Sequence, residues 1–391
     1  MAKGRKAKQA KTKLNMIIYG DTFTGKTTLA SQIAYYKRED GTPFRVLYID
    51  AESGGLDSYL DDMEAAGINL DNIYILYTQS LTEVRQYIAK VKNSEDLYEL
   101  DDDGVETDEI VKDAYGNPFR ADAIIVDGAT ILNLTTQSGL VEFSKKRNKV
   151  KADKAGLLGD ERLVKIEGAG LEIKDWATIK FKGQDLILDL MSSGVNCIVT
   201  CRETDEKVSV KTDDGQFQSV STGKKIPDGF KGIDYNTNTV LRTFFDKETG
   251  QICAEVEKDR THVHKKGEII EDPSLLDWQV ALEKTKDKED FVLKNDLVKA
   301  VEVEQDLYAK EVLGKVGDPV TEDTDKVSDT STSSSPTPDD LRKEIVSIKN
   351  SLSPVEKKSL KEKLEAKGLP TAYKNVNDIS VLQEVIETMK N

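Results

Sequence analysis

The sequence of 391 residues contains only three cysteines and two histidines, and this scarcity argues against several kinds of site. Cys197, Cys201 and Cys253 include no Cys-x-x-Cys pair, so we expect reduced, packed thiols rather than disulfides. His262 and His264 have no cluster of cysteines or carboxylates around them in the sequence. The sequence therefore favours a protein without a zinc site.

Long hydrophobic runs are also missing. No run approaches the roughly 18 to 20 apolar residues that a membrane helix needs, and the basic, polar residues 1–13 lack the apolar stretch of a secretory signal. We therefore expect a cytosolic protein that makes no membrane contact. With 38% hydrophobic residues, the chain can still bury a sizeable core, which indicates one large domain and something smaller.

The excess of acidic over basic residues is concentrated in two segments. The net charge is −15; residues 95–113 carry ten acids and one base, and residues 318–340 carry seven acids and one base. These two segments account for the whole net charge, so the rest of the chain is neutral overall and can hold local basic patches. The acidic composition therefore does not exclude nucleic acid as a partner.

The alternation of apolar and amphipathic segments predicts an α/β fold. Apolar strand candidates separated by helix candidates are typical of a mainly parallel sheet with helices on both faces. The predicted strands are residues 14–19, 44–50, 73–76, 123–127 and 196–201, and the predicted helices are residues 26–36, 55–66, 81–92 and 176–192. Beyond residue 201 the composition indicates antiparallel strands, with turns at residues 213–215 and 247–250.

The flanking segments predict the domain organisation. Residues 1–13 are predicted to be a basic, disordered tail that either solubilises the chain or touches phosphate. Residues 14–315 form the predicted core, with an acidic hairpin inserted at about residues 94–120. Residues 316–338, an acidic stretch rich in Ser and Thr, are predicted to be a disordered linker, and residues 339–391 a three-helix module that binds a partner protein.

A phosphate-binding pattern, G-x-x-x-x-G-K-[ST], follows the first predicted strand and precedes a predicted helix, which is the context that the pattern requires. Its residues, with the threonine that follows, are Gly20, Asp21, Thr22, Phe23, Thr24, Gly25, Lys26, Thr27 and Thr28. The glycines let backbone N–H groups surround phosphate oxygens, Lys26 reaches the terminal phosphates, and Thr27 ligates magnesium. The pattern therefore predicts a site for ATP and Mg²⁺.

Two strand ends supply the carboxylates that hydrolysis needs. Four apolar residues end in Asp127, about 100 residues after Lys26, so Asp127 is predicted to hold magnesium through water. Hydrolysis also needs a group that orients or deprotonates the attacking water. Asp50 and Glu52 follow a second apolar run, and the residues alone do not decide between them.

These motifs resemble the core of the RecA recombinase family over about residues 14–262. The resemblance rests on the order and spacing of the phosphate-binding loop, the run from Tyr48 to Glu52, and the strand that ends at Asp127. In that family the glutamate after the second strand is the catalytic base, so the resemblance implies this role for Glu52. It also implies hydrolysis of ATP to ADP and phosphate, stimulated by DNA, in a homo-oligomer with ATP at its subunit interfaces.

Three further runs are most similar to bacteriophage RecA-core ATPases, which are minimal recombinases associated with single-strand annealing. These runs are residues 19–28, Asp127-Gly128, and Ile173-Lys174-Asp175-Trp176 before a long predicted helix. The resemblance implies a role in phage DNA recombination or replication, and a place in the cytoplasm of the bacterial host.

RecA-like proteins place two DNA-binding loops in the later half of the sheet, and the resemblance implies where they lie here. At the first position, six basic residues fit either a DNA-binding loop or a solvated helix face: Lys145, Lys146, Arg147, Lys149, Lys151 and Lys154. At the second, Lys224 and Lys225 are candidates for binding single-stranded DNA, although the aromatic residues around them suit a hairpin core equally well. Arg202-Glu203 stands where the family has a phosphate-sensing glutamine, so the sensor stays open.

A Lys-x-Arg pair ends the run at residues 254–260. Similar pairs in RecA-like hexameric helicases reach the ATP of the neighbouring subunit. The resemblance therefore implies that Lys258 and Arg260 stabilise phosphoryl charge in trans, and the alternative is two exposed cations at a strand end.

The first hypothesis for function is an ATPase of the phage recombinase type that binds single-stranded DNA. A ring helicase or helicase loader of the same superfamily is the second. A nucleotide-switched scaffold that binds proteins through the acidic hairpin and the C-terminal module is the third, from another functional class.

Overall fold

The computed structural model describes residues 10–212, 215–292, 301–305 and 378–390, together with Leu307, Leu341, Ile345, Lys363, Leu364 and Lys367. The chain divides into two compact units, Met1–Gly314 and Lys315–Asn391. The predicted linker, most of the predicted tail and most of the predicted three-helix module lie outside the described residues. The domain boundaries therefore stay predictions.

The centre of the first unit is a mainly parallel sheet. The strands are β1 (Asn15–Gly20), β2 (Val46–Asp50), β3 (Ile73–Tyr77), β4 (Tyr98–Leu100), β5 (Glu106–Ile110), β6 (Ala123–Asp127), β7 (Asn196–Lys211), β8 (Phe217–Pro227), β9 (Thr239–Asp246), β10 (Gln251–Asp259) and β11 (Ile269–Glu271). The order in the main sheet is β11-β10-β9-β1-β7-β6-β2-β3. From β9 to β3 all neighbours are parallel, whereas β10 and β11 continue the sheet in antiparallel pairs.

Helices cover both faces of this sheet. They are α1 (Lys26–Ser31), α2 (Leu60–Ala65), α3 (Leu81–Asn93), α4 (Ala129–Lys154), α5 (Gly159–Glu167), α6 (Ile173–Ser192) and α7 (Gln279–Glu283), and short 3₁₀ turns lie at Gln32–Tyr35, Asp57–Tyr59, Leu70–Asn72 and Leu275–Trp278. Successive residues of a strand point to opposite faces. Ile17 and Tyr19 accordingly pack in the core that α3, α4 and α6 cover, and Met16 and Ile18 in the core that α1 and Trp278 cover. The predicted fold class, a mainly parallel sheet between two helical layers, is confirmed.

Residues 145–154 do not form the loop that the resemblance implied; they form the last part of α4, as the alternative of a helix face predicted. This helix has 26 residues, so it is about 39 Å long at a rise of about 1.5 Å per residue. Residues 140–154 contain neither glycine nor proline and are rich in lysine, which favours a helix. α5 and α6 pack against α4. We call residues 143–182 the basic helical region.

The strand predicted at residues 196–201 is longer than expected. β7 continues to Lys211. Its first six residues are buried in the main sheet, Arg202 still pairs with Gly20 of β1, and the mostly exposed residues from Glu203 onward pair with β8. The predicted antiparallel strands beyond residue 201 are present as the hairpin of β7 and β8 and as the pair of β9 and β10, with a turn at residues 247–250. Asp213 and Asp214, in the other predicted turn, lie outside the described residues.

The acidic segment contains a two-stranded antiparallel sheet of β4 and β5, separate from the main sheet. All three cysteines are buried and form no disulfide. In the second unit, the helix Ile379–Lys390 contributes Leu382 and Val385 to a small apolar cluster with Leu341 and Ile345. Among the described residues, no helix is both long enough and apolar enough to cross a membrane.

Candidate active site

The phosphate-binding pattern forms the loop between β1 and α1, and the geometry of the loop requires both of its glycines. A Cβ atom on Gly20 would lie 2.1 Å from the carbonyl oxygen of Thr243 on β9, so no larger residue fits there. Gly25 precedes α1 with a φ of 74°, a left-handed conformation that favours glycine. The buried Thr24 anchors the loop, because its hydroxyl bonds to the hydroxyl of Thr243 at 2.8 Å. Asp21, Thr22 and Phe23 lie on the exposed side of the loop.

Lys26 begins α1, and its side chain crosses back over the loop. The Nζ atom donates to the carbonyl oxygen of Asp21 at 2.6 Å. Burial lowers the pKa of Lys26, and the nearby charges of Glu52 and Asp127 act in the opposite direction. A partly buried ammonium group of this kind is stabilised when an anion approaches it, so the position suits a phosphate group.

Asp127, at the carboxyl end of β6, accepts hydrogen bonds from three hydroxyl groups. Thr27 Oγ1 donates to Oδ2 at 2.9 Å, the hydroxyl of Tyr48 donates to the same oxygen, and that of Thr200 donates to Oδ1. Burial, followed by the charge of Asp127, raises the pKa of Tyr48, which keeps its phenol protonated as a donor. Three donors therefore fix the orientation of this buried carboxylate.

Thr27 and Asp127 fit a magnesium ion. Mg²⁺ prefers oxygen ligands and is usually bound by one or two carboxylates, substrate phosphates and several waters. In the part of the chain that the structure describes, no group of three or more His, Cys, Asp or Glu side chains could hold a metal ion. A magnesium ion at this position would therefore depend on phosphate oxygens and water for most of its coordination.

Asp50 and Glu52, which the residues alone left as alternatives, have different surroundings. Asp50 is buried, and its two oxygens accept the backbone N–H groups of Glu52, Ser53, Gly54 and Gly55 at 2.7 to 3.1 Å. Its carboxylate is therefore engaged in holding the turn. The Glu52 side chain is free of such bonds and about one third exposed, so it is the carboxylate that water can reach.

Arg202 is a site residue whose role the sequence left open. The parallel register of β1 and β7 places it beside Gly20, and its Nε donates to Glu52 Oε1 at 3.2 Å. Its backbone N–H donates to the hydroxyl of Thr130 at the start of α4. The guanidinium group thus contacts the candidate base, from a residue that pairs with the first glycine of the phosphate-binding loop.

Tyr48 and Thr200 were not among the predicted site residues, although both lie near the carboxyl ends of predicted strands. The signal that could have found them is the parallel register, in which Asp50 pairs with Asp127 and Val126 with Val199. This register brings the ends of β2, β6 and β7 to one edge of the sheet, beside the loop that follows β1.

Lys258 and Arg260 lie away from this edge. Because β10 is antiparallel to β9, its last residues return to the opposite end of the sheet, where Lys258 pairs with Val240. Lys258 Nζ donates to the carbonyl oxygens of Asp234 and Tyr235 at 3.1 and 2.9 Å, and burial and then the charge of Arg260 lower its pKa. The two side chains are therefore not brought to the loop of their own chain, and their action in trans stays a prediction.

The six basic residues predicted at the first DNA loop divide into two groups on α4. Lys145 pairs with Glu142 and Glu167, Arg147 with Asp175, and Lys151 with Glu172. Lys146, Lys149 and Lys154 are exposed and form no ion pair with any described residue. The second group is available to an added anion.

At the second predicted DNA loop, Lys225 pairs with Asp205 at 2.9 Å, while Lys224 is exposed on β8. Phe230, one of the aromatic residues of this segment, is buried against Gly183 and belongs to the core, which removes it as a base-stacking candidate. The two lysines therefore differ: Lys225 has an acidic partner, whereas Lys224 is exposed. Their DNA-binding role stays a prediction.

No protein-family model and no curated protein matches this chain. Among solved structures, it is similar to the RadB recombinase, with 16% identity and a TM-score of 0.35 over 67% of this chain and 87% of that chain. It is also similar to a KaiC-like protein from the hyperthermophilic archaeon Pyrococcus horikoshii, with 13% identity and a TM-score of 0.33 over 66% of this chain and 88% of that chain. Both likenesses are weak, so the fold follows from this chain's own strand order and register.

Proposed function

We propose that this chain is an ATPase of the RecA-core type that binds ATP with Mg²⁺ at residues 20–28, hydrolyses it, and couples hydrolysis to the binding of single-stranded DNA. The observation that carries the proposal is the meeting of Lys26, Glu52 and Asp127 at the carboxyl edge of the sheet. Ligands of open α/β sheets bind at this edge.

The binding step depends on the loop and on Lys26. Backbone N–H groups of the loop donate to phosphate oxygens, and the Lys26 ammonium group gives up its hydrogen bond to the Asp21 carbonyl oxygen and donates to a terminal phosphate oxygen instead. Thr27 and Asp127 hold the magnesium ion, which supplies charge neutralisation at the phosphates when it is bound. Tyr48 and Thr200 keep the Asp127 carboxylate oriented.

The hydrolytic step is assigned to Glu52. Its carboxylate accepts a proton from the water that attacks the terminal phosphorus atom, so that ADP and phosphate are formed. Asp50 is unsuited to this task because four backbone N–H groups occupy its oxygens. Its part is to hold the turn that presents Glu52.

The basic helical region supports DNA as the partner. Residues 143–182 carry eleven Lys or Arg against six Asp or Glu, in a protein whose net charge is −15. Lys146, Lys149 and Lys154 have no ion pair among the described residues. Lysines without acidic partners bind phosphates by releasing counterions. α4, which carries these lysines, begins directly after the Asp127-Gly128 pair.

The proposed working form is a homo-oligomer with ATP at its subunit interfaces, acting in phage DNA recombination or replication. Lys258, near the end of β10, and Arg260, just after it, support this form, because β10 ends at the edge of the sheet opposite their own phosphate-binding loop. From that end of the sheet, the phosphates that Lys258 and Arg260 would stabilise are those of the ATP bound to a neighbouring subunit.

The experiment that tests the proposal measures ATP turnover of the full chain with and without single-stranded DNA at low salt. We expect measurable Mg²⁺-dependent turnover that rises when DNA is added. Absence of turnover under both conditions would remove the enzymatic proposal. Turnover that DNA does not change, together with no DNA binding, would favour the nucleotide-switched scaffold.

Strand assays distinguish the recombinase from the helicase. Annealing of complementary oligonucleotides without unwinding of a forked duplex supports the recombinase type. Unwinding of the fork with ATP would replace it by the helicase.

A further inference from the structure

The first half of α6 exposes a stripe of apolar and basic side chains that the ATPase does not use. This α6 stripe consists of Ile173, Trp176, Ala177, Lys180 and Phe181, which are all exposed. Asp175, Ile179 and Gly183 form the buried side of the same helix. The spacing of three and four residues places the stripe along one face.

Trp176 is the unusual member of the stripe. The chain has two tryptophans, of which Trp278 is fully buried and Trp176 is 52% exposed. Its neighbour Ile173 is 91% exposed. Large apolar groups that lie together on a surface mark a binding site more often than scattered ones do.

The backbone under Trp176 is firmly held, so its exposure does not result from a frayed helix end. Glu172 and Asp175 form a reciprocal capping box at the start of α6. Asp175 is buried and accepts a hydrogen bond from Arg147 Nη2 of α4 at 2.6 Å. The ring is therefore presented from a rigid base, which lowers the entropic cost of binding.

The charge around the stripe favours an anionic partner. Lys180 lies on the stripe and forms no ion pair with the described residues, whereas Lys174, at the start of the same helix, pairs with Glu172 at 2.9 Å. Both lie in the basic helical region, with its eleven basic and six acidic residues. Aromatic rings beside lysines suit single-stranded nucleic acid, because unpaired bases stack on the rings while lysines neutralise phosphates. A duplex hides the faces of its bases inside the stack.

We propose that the α6 stripe is a binding surface for single-stranded DNA on which Trp176 stacks with a base. The inference rests on the proposed function, since it names a contact surface for the DNA that regulates hydrolysis. It differs from the lysine assignments because stacking is independent of salt, whereas phosphate contacts are not.

The test uses the fluorescence of the full chain during titration with oligodeoxythymidylate at low salt. Trp278 is buried and bonded to Asp259, so we expect quenching that comes from Trp176. Trp176→Ala should weaken binding about tenfold, the loss of one stacked base, without changing the salt dependence of the affinity. Trp176→Phe should keep most of the affinity because it keeps a ring.

Tyr115→Ala is the matched control, because Tyr115 is similarly exposed but belongs to the acidic insertion at about residues 94–120. We expect it to bind DNA as the wild type does. If the wild type binds the oligonucleotide while Trp176→Ala binds equally well, or if the emission does not change, the stacking inference is overturned and the proposed function stands. If the wild type binds no single-stranded DNA, the DNA part of the proposed function is overturned as well.

Size-exclusion chromatography of the same variants tests the alternative that a second copy of the chain, and not DNA, binds the α6 stripe. If Trp176→Ala changes the oligomeric state and leaves the DNA affinity as it is, the stripe is a contact between copies of the chain, and the proposal is wrong. An unchanged oligomeric state together with weakened DNA binding supports it.

Discussion

The carboxyl edge of the sheet and the basic helical region hold their charges in opposite ways. At the edge, Asp50 and Asp127 are buried and bonded to backbone N–H groups or hydroxyl groups that fix each oxygen. In the helical region, Lys146 and Lys149 lie on the surface without an ion-pair partner among the described residues. The difference indicates geometric recognition at the edge, where one displaced group matters, and recognition by charge density on the helices, where single groups contribute little.

Substitution of Lys26 should have the largest effect on ATP binding and turnover. Lys26→Ala removes the ammonium group that the proposed site aims at the terminal phosphates, so ATP binding should weaken about 100-fold and turnover should disappear. Equilibrium binding of a fluorescent ATP analogue measures this. Lys37→Ala, which removes an exposed lysine beyond α1, should bind normally. Normal turnover in Lys26→Ala would show that the loop is not the hydrolytic site.

The second effect separates hydrolysis from binding. Glu52→Gln keeps the shape of the side chain but cannot take a proton, so kcat should fall about 100- to 10,000-fold while ATP binding is kept. Single-turnover hydrolysis and analogue binding on the same sample test both parts. Loss of binding instead would assign Glu52 to the structure of the turn.

Asp50→Asn is the matched comparison on the same turn. The amide replaces one acceptor oxygen with a donor, so the variant should lose about 1 to 3 kcal/mol of the free energy of unfolding. Denaturant unfolding measures this loss. A variant that is as stable as the wild type but inactive would transfer the role of base from Glu52 to Asp50.

The sequence predicted the residues at the edge that stand in a local pattern. The glycines of the loop, Lys26, Thr27 and Asp127 each follow from a motif or from the end of an apolar strand. Tyr48, Thr200 and Arg202 could not be found in this way, because they reach the site from neighbouring strands. Which residues of parallel strands lie side by side depends on register, and hydrophobic runs that are buried on both faces do not specify it.

The basic helical region was harder to predict for a different physical reason. In α4, Leu132 is buried whereas Leu134, Phe143 and Val150 are exposed, so the apolar residues do not mark a single stripe. Without such a stripe the helical period is weak, and a cluster of lysines fits a loop and a helix equally well. The fold class was nevertheless predictable, because it depends on the strands and not on this helix.

Removing a hydroxyl group that orients Asp127 should have a smaller effect, on the Mg²⁺ requirement for turnover. Tyr48→Phe removes one donor, so the Mg²⁺ concentration for half-maximal turnover should rise about tenfold, as is usual when a residue that orients a metal ligand is lost. Titration of Mg²⁺ after treatment with a chelator measures it. Tyr36→Phe is the control, since Tyr36 is also buried and donates to the carbonyl oxygen of Leu275, far along the chain from the site. An unchanged Mg²⁺ requirement in Tyr48→Phe would mean that Thr27 and Thr200 suffice to hold the carboxylate.

The smallest effect per residue is expected on α4. Replacing Lys146, Lys149 and Lys154 together by glutamine should lower the slope of log affinity for single-stranded DNA against log salt by about 2, at about 0.7 per phosphate contact. Replacement of Lys284, Lys286 and Lys288 by glutamine changes the net charge equally at a different place, so it should leave that slope nearly unchanged. Fluorescence anisotropy of a labelled oligonucleotide at several salt concentrations measures both triples. Equal slopes in the two triples would mean that total charge, and not this surface, governs binding. Recognition by diffuse charge would then be a property of the whole protein surface and not of the basic helical region alone, while the carboxyl edge would still depend on fixed carboxylates.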